Sequence, residues 1–255
     1  MNSTNVSPIK VKPLRTAGQS LDEKLNVLIA DRTLLHGMII AVAIVVAGAE
    51  WLRWFTNAPP SPKLFTVVAA GVIAYSSVAV ARLRREVRAL RLGREGERAV
   101  AELLDSLRAK GYLIFHDVPG RGFNLDHVII APQGLFVVET KTHSKRPDSK
   151  VFFDGTRVLL DGKAPDRNPL DQARAAARWL CEALLESTGR KFPVRAVVVY
   201  PGWWVESSQG ANSGDIWVLN PKGVGSFIGN EPTLLPPEDV RLAADRVAIM
   251  SRQGE

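Results

Sequence analysis

Two acidic residues and a lysine stand out in this chain: Asp126, then Glu139 and Lys141 within a Glu-Thr-Lys triplet. Two segments rich in β-branched and apolar residues, 125–130 and 135–141, flank the connection Ala131-Pro132-Gln133-Gly134. Paired as a hairpin around a four-residue loop, they set Ile130 against Leu135 and Asp126 against Glu139. Side chains alternate along a strand, so Lys141 shares the face of Glu139, and Val128 and Val137 form the next pair on that face. Directly opposed like charges destabilise a sheet, and something must offset them. Lys141 is one candidate and a divalent cation is another. Two carboxylates with water and phosphate oxygens suit Mg²⁺, and the carbonyl of Thr140 offers a further oxygen. Lys141 would then orient or deprotonate an attacking water while the cation stabilises charge on the phosphate. A salt-bridged surface hairpin accounts for the same three residues, and a five-residue loop would break the pairing. Both readings stay open on these residues alone.

The elements around the hairpin follow from periodicity. Residues 95–110 read as a helix with Val100, Leu103, Leu104 and Leu107 on one face, ended by Gly111. Residues 112–118 read as a strand and 151–160 as a hairpin turning at Asp154-Gly155. A helix over 169–187 starts near Pro169, strands follow at 194–200 and 215–219, and an amphipathic helix covers 237–252. This order predicts an α/β sandwich with a mainly antiparallel sheet. Cys181 is the one cysteine and reads as a core residue of the helix; no intrachain disulfide is possible. The sequence has no phosphate-cradling P-loop, no zinc-like Cys/His spacing and no G-x-S-x-G elbow.

The spacing D-x₁₂-E-T-K resembles the D…(D/E)-x-K signature of restriction-endonuclease-like proteins. Gly93-x-x-Gly96-Glu97, Leu125-Asp126-His127, the run from Gly134 through Lys141, and Asn168-Pro169-x-x-Gln172 follow in order. Together they resemble the nuclease-related domain, most strongly over 93 to about 175. The resemblance implies a central mixed sheet flanked by helices and a metal-dependent phosphodiesterase core using Mg²⁺ or Mn²⁺ on DNA or RNA. It implies Asp126 and Glu139 as metal ligands, Lys141 as the catalytic lysine, and Glu97 and Gln172 as further site residues. Glu97 also reads as a carboxylate favourable at a helix start, and Gln172 as a polar helix-start residue. His127 points to the opposite face by alternation, which suits a structural or substrate-side role rather than metal ligation. His143, Lys145 and Arg146 read as a solvated loop with phosphate contact as its rival, and Trp203-Trp204 as a fold-closing or membrane-apposed pair with base stacking as its rival.

The remaining signal is hydrophobic. Residues 34–49 carry no charge and are extended to residue 55 by Trp51, Leu52, Trp54 and Phe55; residues 64–81 are a second uncharged run. Each is long enough to cross a bilayer core of about 30 Å. Pro59, Pro60 and Pro62 break the connector, so the two runs predict an antiparallel transmembrane hairpin. The net charge is +7; residues 1–98 hold 14 Lys and Arg against 7 Asp and Glu, and the remainder is balanced. The soluble domain therefore has no bulk positive field, and net charge alone does not argue for nucleic-acid binding. The basic residues cluster before the first run and in the arginine-rich stretch 82–94, which places both termini and the soluble domain in the cytoplasm of a two-span protein at the cell membrane. The arginines would also meet anionic lipid. Ala47-Gly48-Ala49 imitates a signal-peptide cleavage site, but the long polar segment before it does not suit one. The expected organisation is a tail at 1–32, the hairpin at 33–81, a basic juxtamembrane helix at 82–94, the nuclease-like domain at 95–221 and a helical segment at 222–255. Beside the anchored nuclease stand a catalytically silent binding module for nucleic acid or protein and a lipid-associated scaffold.

Overall fold

The computed structural model describes residues 14–57, 59, 62–144 and 149–252, with some side chains of the first two helices outside that description. The chain divides into two units, residues 1–20 with 92–255, and residues 21–91.

The second unit is carried by two long helices, α1 (Gln19–Thr56) and α2 (Pro62–Asp105). The proline-rich connector separates them as the sequence leads one to expect. Within α1, Gly37–Thr56 is long and apolar enough by composition to cross a membrane, and none of it is buried. It is the one such stretch among the described residues. The other expected span, 64–81, lies in α2, and several of its side chains are outside the described set. Two expectations need correction. The basic stretch 82–94 and the helix expected from 95 are one continuous α2, because no proline interrupts it; its end tightens into a 3₁₀ turn at Ser106–Lys110 before Gly111 at φ 84°. Residues 14–20 are not a separate tail. They belong to the soluble unit, and α1 starts at Gln19, where Thr16 N–H donates to Gln19 Oε1 at 3.2 Å in half of a capping box.

The soluble unit is built on eight strands: β1 (Leu113–Pro119), β2 (Asn124–Ala131), β3 (Gly134–Thr140), β4 (Lys150–Phe153), β5 (Val158–Leu160), β6 (Val194–Val199), β7 (Trp204–Ser207) and β8 (Ile216–Leu219). Three helices join them, α3 (Pro169–Thr188), α4 (Val224–Gly229) and α5 (Pro237–Arg252). The main sheet runs β1-β2-β3-β6-β8. Its first three strands are antiparallel, whereas β6 runs parallel to β3 and β8 parallel to β6. The sheet is therefore mixed rather than mainly antiparallel. The α3 crossover returns the chain in the direction of β3, as a helix between two sheet strands does. A small second sheet runs β5-β4-β7, with β7 absent from the sequence reading.

Both faces of the main sheet are covered. On one, Val128, Val137, Ala196 and Val198 pack with Leu170, Leu180 and Leu184 of α3 and Ala243 and Val247 of α5. On the other, Ile129, Phe136, Val138 and Val197 pack with Val100 and Leu104 at the end of α2 and Val224 and Ile228 around α4. Strands buried on both faces explain the unbroken apolar runs at 128–131 and 196–199. The segment after residue 222 is thus part of the soluble unit's two cores.

Candidate active site

The β2–β3 hairpin places the acidic pair. Its register pairs His127 with Val138, Val128 with Val137 and Ala131 with Gly134, leaving Pro132-Gln133 as the tip. The turn is one pair tighter than a four-residue loop but keeps the same register. Gly134 sits at φ 137°, which an L side chain rarely adopts, and a Cβ there would meet the Pro193 carbonyl at 3.1 Å. The register carries Asp126 opposite Glu139, one step past the last paired residues.

At that step side chains take over from the ladder. Thr140 N–H donates to Asp126 Oδ2 at 2.7 Å. Lys141 Nζ donates to Glu139 Oε1 at 2.7 Å and to Gln172 Oε1 at 2.7 Å. Gln172 Nε2 donates to the same Glu139 Oε1 at 2.6 Å, closing a triangle between β3 and α3. Gln172 reaches it because Asn168 caps α3, accepting from Leu170 N–H, with Pro169 in the first turn. Every hydrogen bond to Glu139 falls on Oε1 and the one to Asp126 on Oδ2. Glu139 Oε2 and Asp126 Oδ1 therefore have no hydrogen-bond partner among the described residues.

Glu97 comes in from α2. The helix can approach because residue 96 is glycine: a Cβ there would overlap the Thr142 side chain just beyond β3. The Glu97 charge is felt at Asp126, whose carboxyl is pushed well above the usual range. Burial is the largest cause, followed by Glu139 and then Glu97; the Thr140 N–H and Lys141 pull the other way and lose. Asp126 keeps some exposed surface even so. Glu139 is only 4% exposed. The site thus holds acidic groups from α2, β2 and β3, with Glu139 and Glu97 both opposing charge on Asp126 and the Lys141 ammonium bonded to Glu139 and Gln172. A cation between Asp126 and Glu139 would relieve their opposition. Among the described residues, no group of three or more Asp, Glu, His or Cys side chains forms a ready metal cluster. A carboxylate pair with two open oxygens is the partial set that suits Mg²⁺, which keeps several waters.

The other sequence candidates separate. His127 turns to the opposite face and is fully buried, as alternation requires. His143 is exposed and stacks on Tyr200 with ring centres 6.2 Å apart; Lys145 and Arg146 lie outside the described residues. Trp203 is 4% exposed and its Nε1 donates to the His143 carbonyl, whereas Trp204 is 67% exposed, so only the first closes the fold. Cys181 is half-buried in α3.

Three features had little signal in the sequence. Tyr200 follows Val199, the partner of Thr140, so it stands beside Lys141 on the site face; its hydroxyl is buried with no partner among the described residues. Asp117, 1% exposed and at φ 49°, accepts from Arg15 Nε at 2.8 Å, Ser20 N–H at 2.9 Å and Asn124 Nδ2 at 2.9 Å. It binds residues 15–20 to β1. His116 pairs with His127 across β1 and β2.

Comparison with known proteins bears on this arrangement. Residues 92–201 match the nuclease-related domain. The matched stretch of the nuclease-related domain contains Glu97, Asp126, Glu139, Lys141 and Gln172. It supports the resemblance drawn from the ordered motifs. An uncharacterized protein of Bacillus anthracis is 39% identical over 102 residues, covering 36% of this chain and 48% of that one. The chain thus spans about half the length of the curated relative it matches. A solved structure, Pyrococcus furiosus SfsA in complex with Ca²⁺, aligns at 17% identity and TM-score 0.26 over 54% of this chain and 55% of that one, too distant to bear on function.

Proposed function

We propose that the soluble unit is a divalent-metal-dependent nuclease held at a membrane by α1 and α2. The observation that carries the reading is the carboxylate pair with two oxygens unpartnered among the described residues, tied to Lys141 and Gln172, inside the nuclease-related match. Asp126 and Glu139 would hold Mg²⁺ or Mn²⁺, with Glu97 as a further acidic group, and the cation would supply Lewis acidity toward a phosphodiester.

The chain's own groups have distinct tasks. Thr140 N–H holds Asp126 with one oxygen turned outward. Gln172 bridges Glu139 and Lys141 and so fixes the ammonium relative to the carboxylate. An ammonium has three N–H donors. Among the described residues two of those on Lys141 are used, which leaves the third for a phosphate oxygen or a water.

Membrane attachment is supported by the apolar Gly37–Thr56 stretch. It is also supported at the soluble unit's own surface. Gly18, just before α1, lies against Arg94, just after the chain returns in α2. Exit and entry are neighbours, as a helical hairpin requires. Trp51, Trp54 and Phe55 are exposed and in mutual ring contact, with Trp54 and Phe55 centres 5.0 Å apart, which suits an interfacial belt. The positive residues then put the soluble unit on the cytoplasmic side.

The test uses the full-length chain in detergent with single- and double-stranded DNA and RNA, in Mg²⁺, in Mn²⁺ and in chelator. Metal-dependent cleavage lost in Asp126→Ala and Lys141→Ala is the expected result. Metal-independent binding with no cleavage of any substrate would replace the nuclease with the silent binding module.

A further inference from the structure

On the opposite face of the sheet, directly behind the acidic pair, a chain of polar side chains crosses an apolar core. It begins at Thr140, the residue between Glu139 and Lys141. Thr140 Oγ1 lies 3.2 Å from His127 Nε2. His127 Nδ1 lies 2.9 Å from His116 Nδ1, and His116 Nε2 lies 3.2 Å from Asp105 Oδ1. Asp105, at the end of α2, is half exposed and also accepts from Arg108 Nε at 2.7 Å. His127 is fully buried, and Thr140 and His116 are each 9% exposed. Their neighbours along the strands, Ile114, Ile129 and Val138, are members of the core that includes Val100 and Leu104.

One assignment of hydrogens satisfies the whole chain. A carboxylate only accepts, so His116 Nε2 carries a hydrogen toward Asp105. With both rings neutral, His116 Nδ1 is then an acceptor and His127 Nδ1 its donor. His127 Nε2 is left as an acceptor, and the Thr140 hydroxyl donates to it. Each bond has one hydrogen, and the Thr140 hydroxyl has one direction.

The position of this chain matters more than its length. The last β2–β3 pair is His127 with Val138. Asp126 and Glu139 lie one residue beyond it, where the ladder no longer holds the strands. The polar chain grips both strands at that point, since His127 follows Asp126 and Thr140 follows Glu139. The same Thr140 holds Asp126 through its backbone N–H.

We propose that Thr140, His127, His116 and Asp105 form a positioning chain that sets the spacing of Asp126 and Glu139 for a divalent cation. The proposal rests on the reading of that pair as a cation site. The four residues act from behind and need not touch cation or substrate. Partners of this kind, one layer removed from a metal, typically change affinity 10- to 100-fold when lost.

The experiment is calorimetric titration of the full-length protein in detergent with Mn²⁺ alone. Thr140→Val keeps the shape and the backbone N–H but removes the hydroxyl; it is expected to weaken binding about 10-fold or more. Thr140→Ser restores a donor and is expected to stay within about threefold of wild type, on the same scale of effects. Ile129→Val trims the same apolar face without touching the chain and serves as the packing control, with affinity unchanged. Should Thr140→Val not fold, Asp105→Ala cuts the chain at its exposed end and is expected to weaken binding as well. Nitrogen-15 spectra of the wild-type histidines supply a reading that packing alone does not move: His127 protonated at Nδ1 and His116 at Nε2. Unchanged Mn²⁺ affinity in Thr140→Val or, failing that, in Asp105→Ala overturns the proposal, as does the opposite tautomer at His127. A wild type that binds no Mn²⁺ removes the cation-site reading itself, and the proposal with it, so the two failures are told apart.

Discussion

Replacing Asp126 with asparagine should stabilise the protein in chelator while removing the proposed nuclease activity. In the folded state the Asp126 carboxylate is opposed by burial, by Glu139 and by Glu97, and favoured by the Thr140 N–H and Lys141. The net direction is upward, so the neutral form is preferred relative to the unfolded chain. Asparagine is neutral and nearly isosteric, and its amide oxygen can still accept from Thr140. What it loses is the charged character of the 2.7 Å bond, which costs about 1 kcal/mol. What it relieves is a buried charge with two like-charged neighbours; replacing buried charges is often worth about 1–4 kcal/mol. The balance is about +1 kcal/mol, or about 2–4 °C in Tm for a domain of this size. The sign with pH follows from a folded pKa raised above the unfolded value. Stability linked to Asp126 is fully present below the unfolded value and is lost as pH rises through the raised one. The advantage of Asp126→Asn should therefore be largest at pH 8 and shrink toward pH 5. Urea denaturation of both proteins with chelator, followed by tryptophan fluorescence at the two pH values, measures it. A variant less stable than wild type at pH 8, or an advantage that grows on acidification, would refute the reasoning.

Four other outcomes are expected. Gly96→Ala should gain about 1 kcal/mol from helix propensity, yet the Thr142 side chain occupies the space for its Cβ; since overpacking costs about 1–3 kcal/mol, the net change in urea denaturation is expected to be destabilising by up to about 2 kcal/mol. Gln172→Ala leaves Lys141 and Glu139 without their bridge and is expected to lower cleavage about 10-fold, whereas Lys141→Ala lowers it by at least about 100-fold, both in a nuclease assay on folded protein. Asp117→Ala removes the buried acceptor of Arg15, Ser20 and Asn124; a loss of about 3 kcal/mol is expected, with residues 14–20 becoming sensitive to limited proteolysis. Trp203→Ala should cost about 3–5 kcal/mol in the same denaturation measurement, while Trp204→Ala, at an exposed position, should change stability by less than about 0.5 kcal/mol.

Local order was open to sequence reading wherever a short-range rule governs it. Strand alternation and a tight turn put Asp126 against Glu139, and the register is the one observed. Helix α5 spans Pro237–Arg252 as its amphipathic pattern indicates. The same rule sent His127 to the far face. The proline-rich connector separated two helices, and the glycine of Gly93-x-x-Gly96 marked a position whose reason became visible only with Thr142 against it.

Contacts between residues distant along the chain could not be read this way. Alternation says which face His127 occupies, but not that His116 of another strand and Asp105 of a helix end complete its hydrogen bonds. Composition shows Gln172 at a helix start, but only the packing of α3 across β3 and β6 brings its amide to both Glu139 and Lys141. The parallel placement of β6 and β8, and of β7 beside β4, rests on crossovers whose direction periodicity does not encode. Asp117 reads as an ordinary strand-end acid, and its capture of Arg15 spans 102 residues. Short-range geometry is repeated at every residue and leaves a pattern. A long-range contact is made once, by whichever surfaces the whole core brings together. The chain by itself thus determined the acidic pair and its register, and the tertiary structure decided what surrounds, charges and holds that pair.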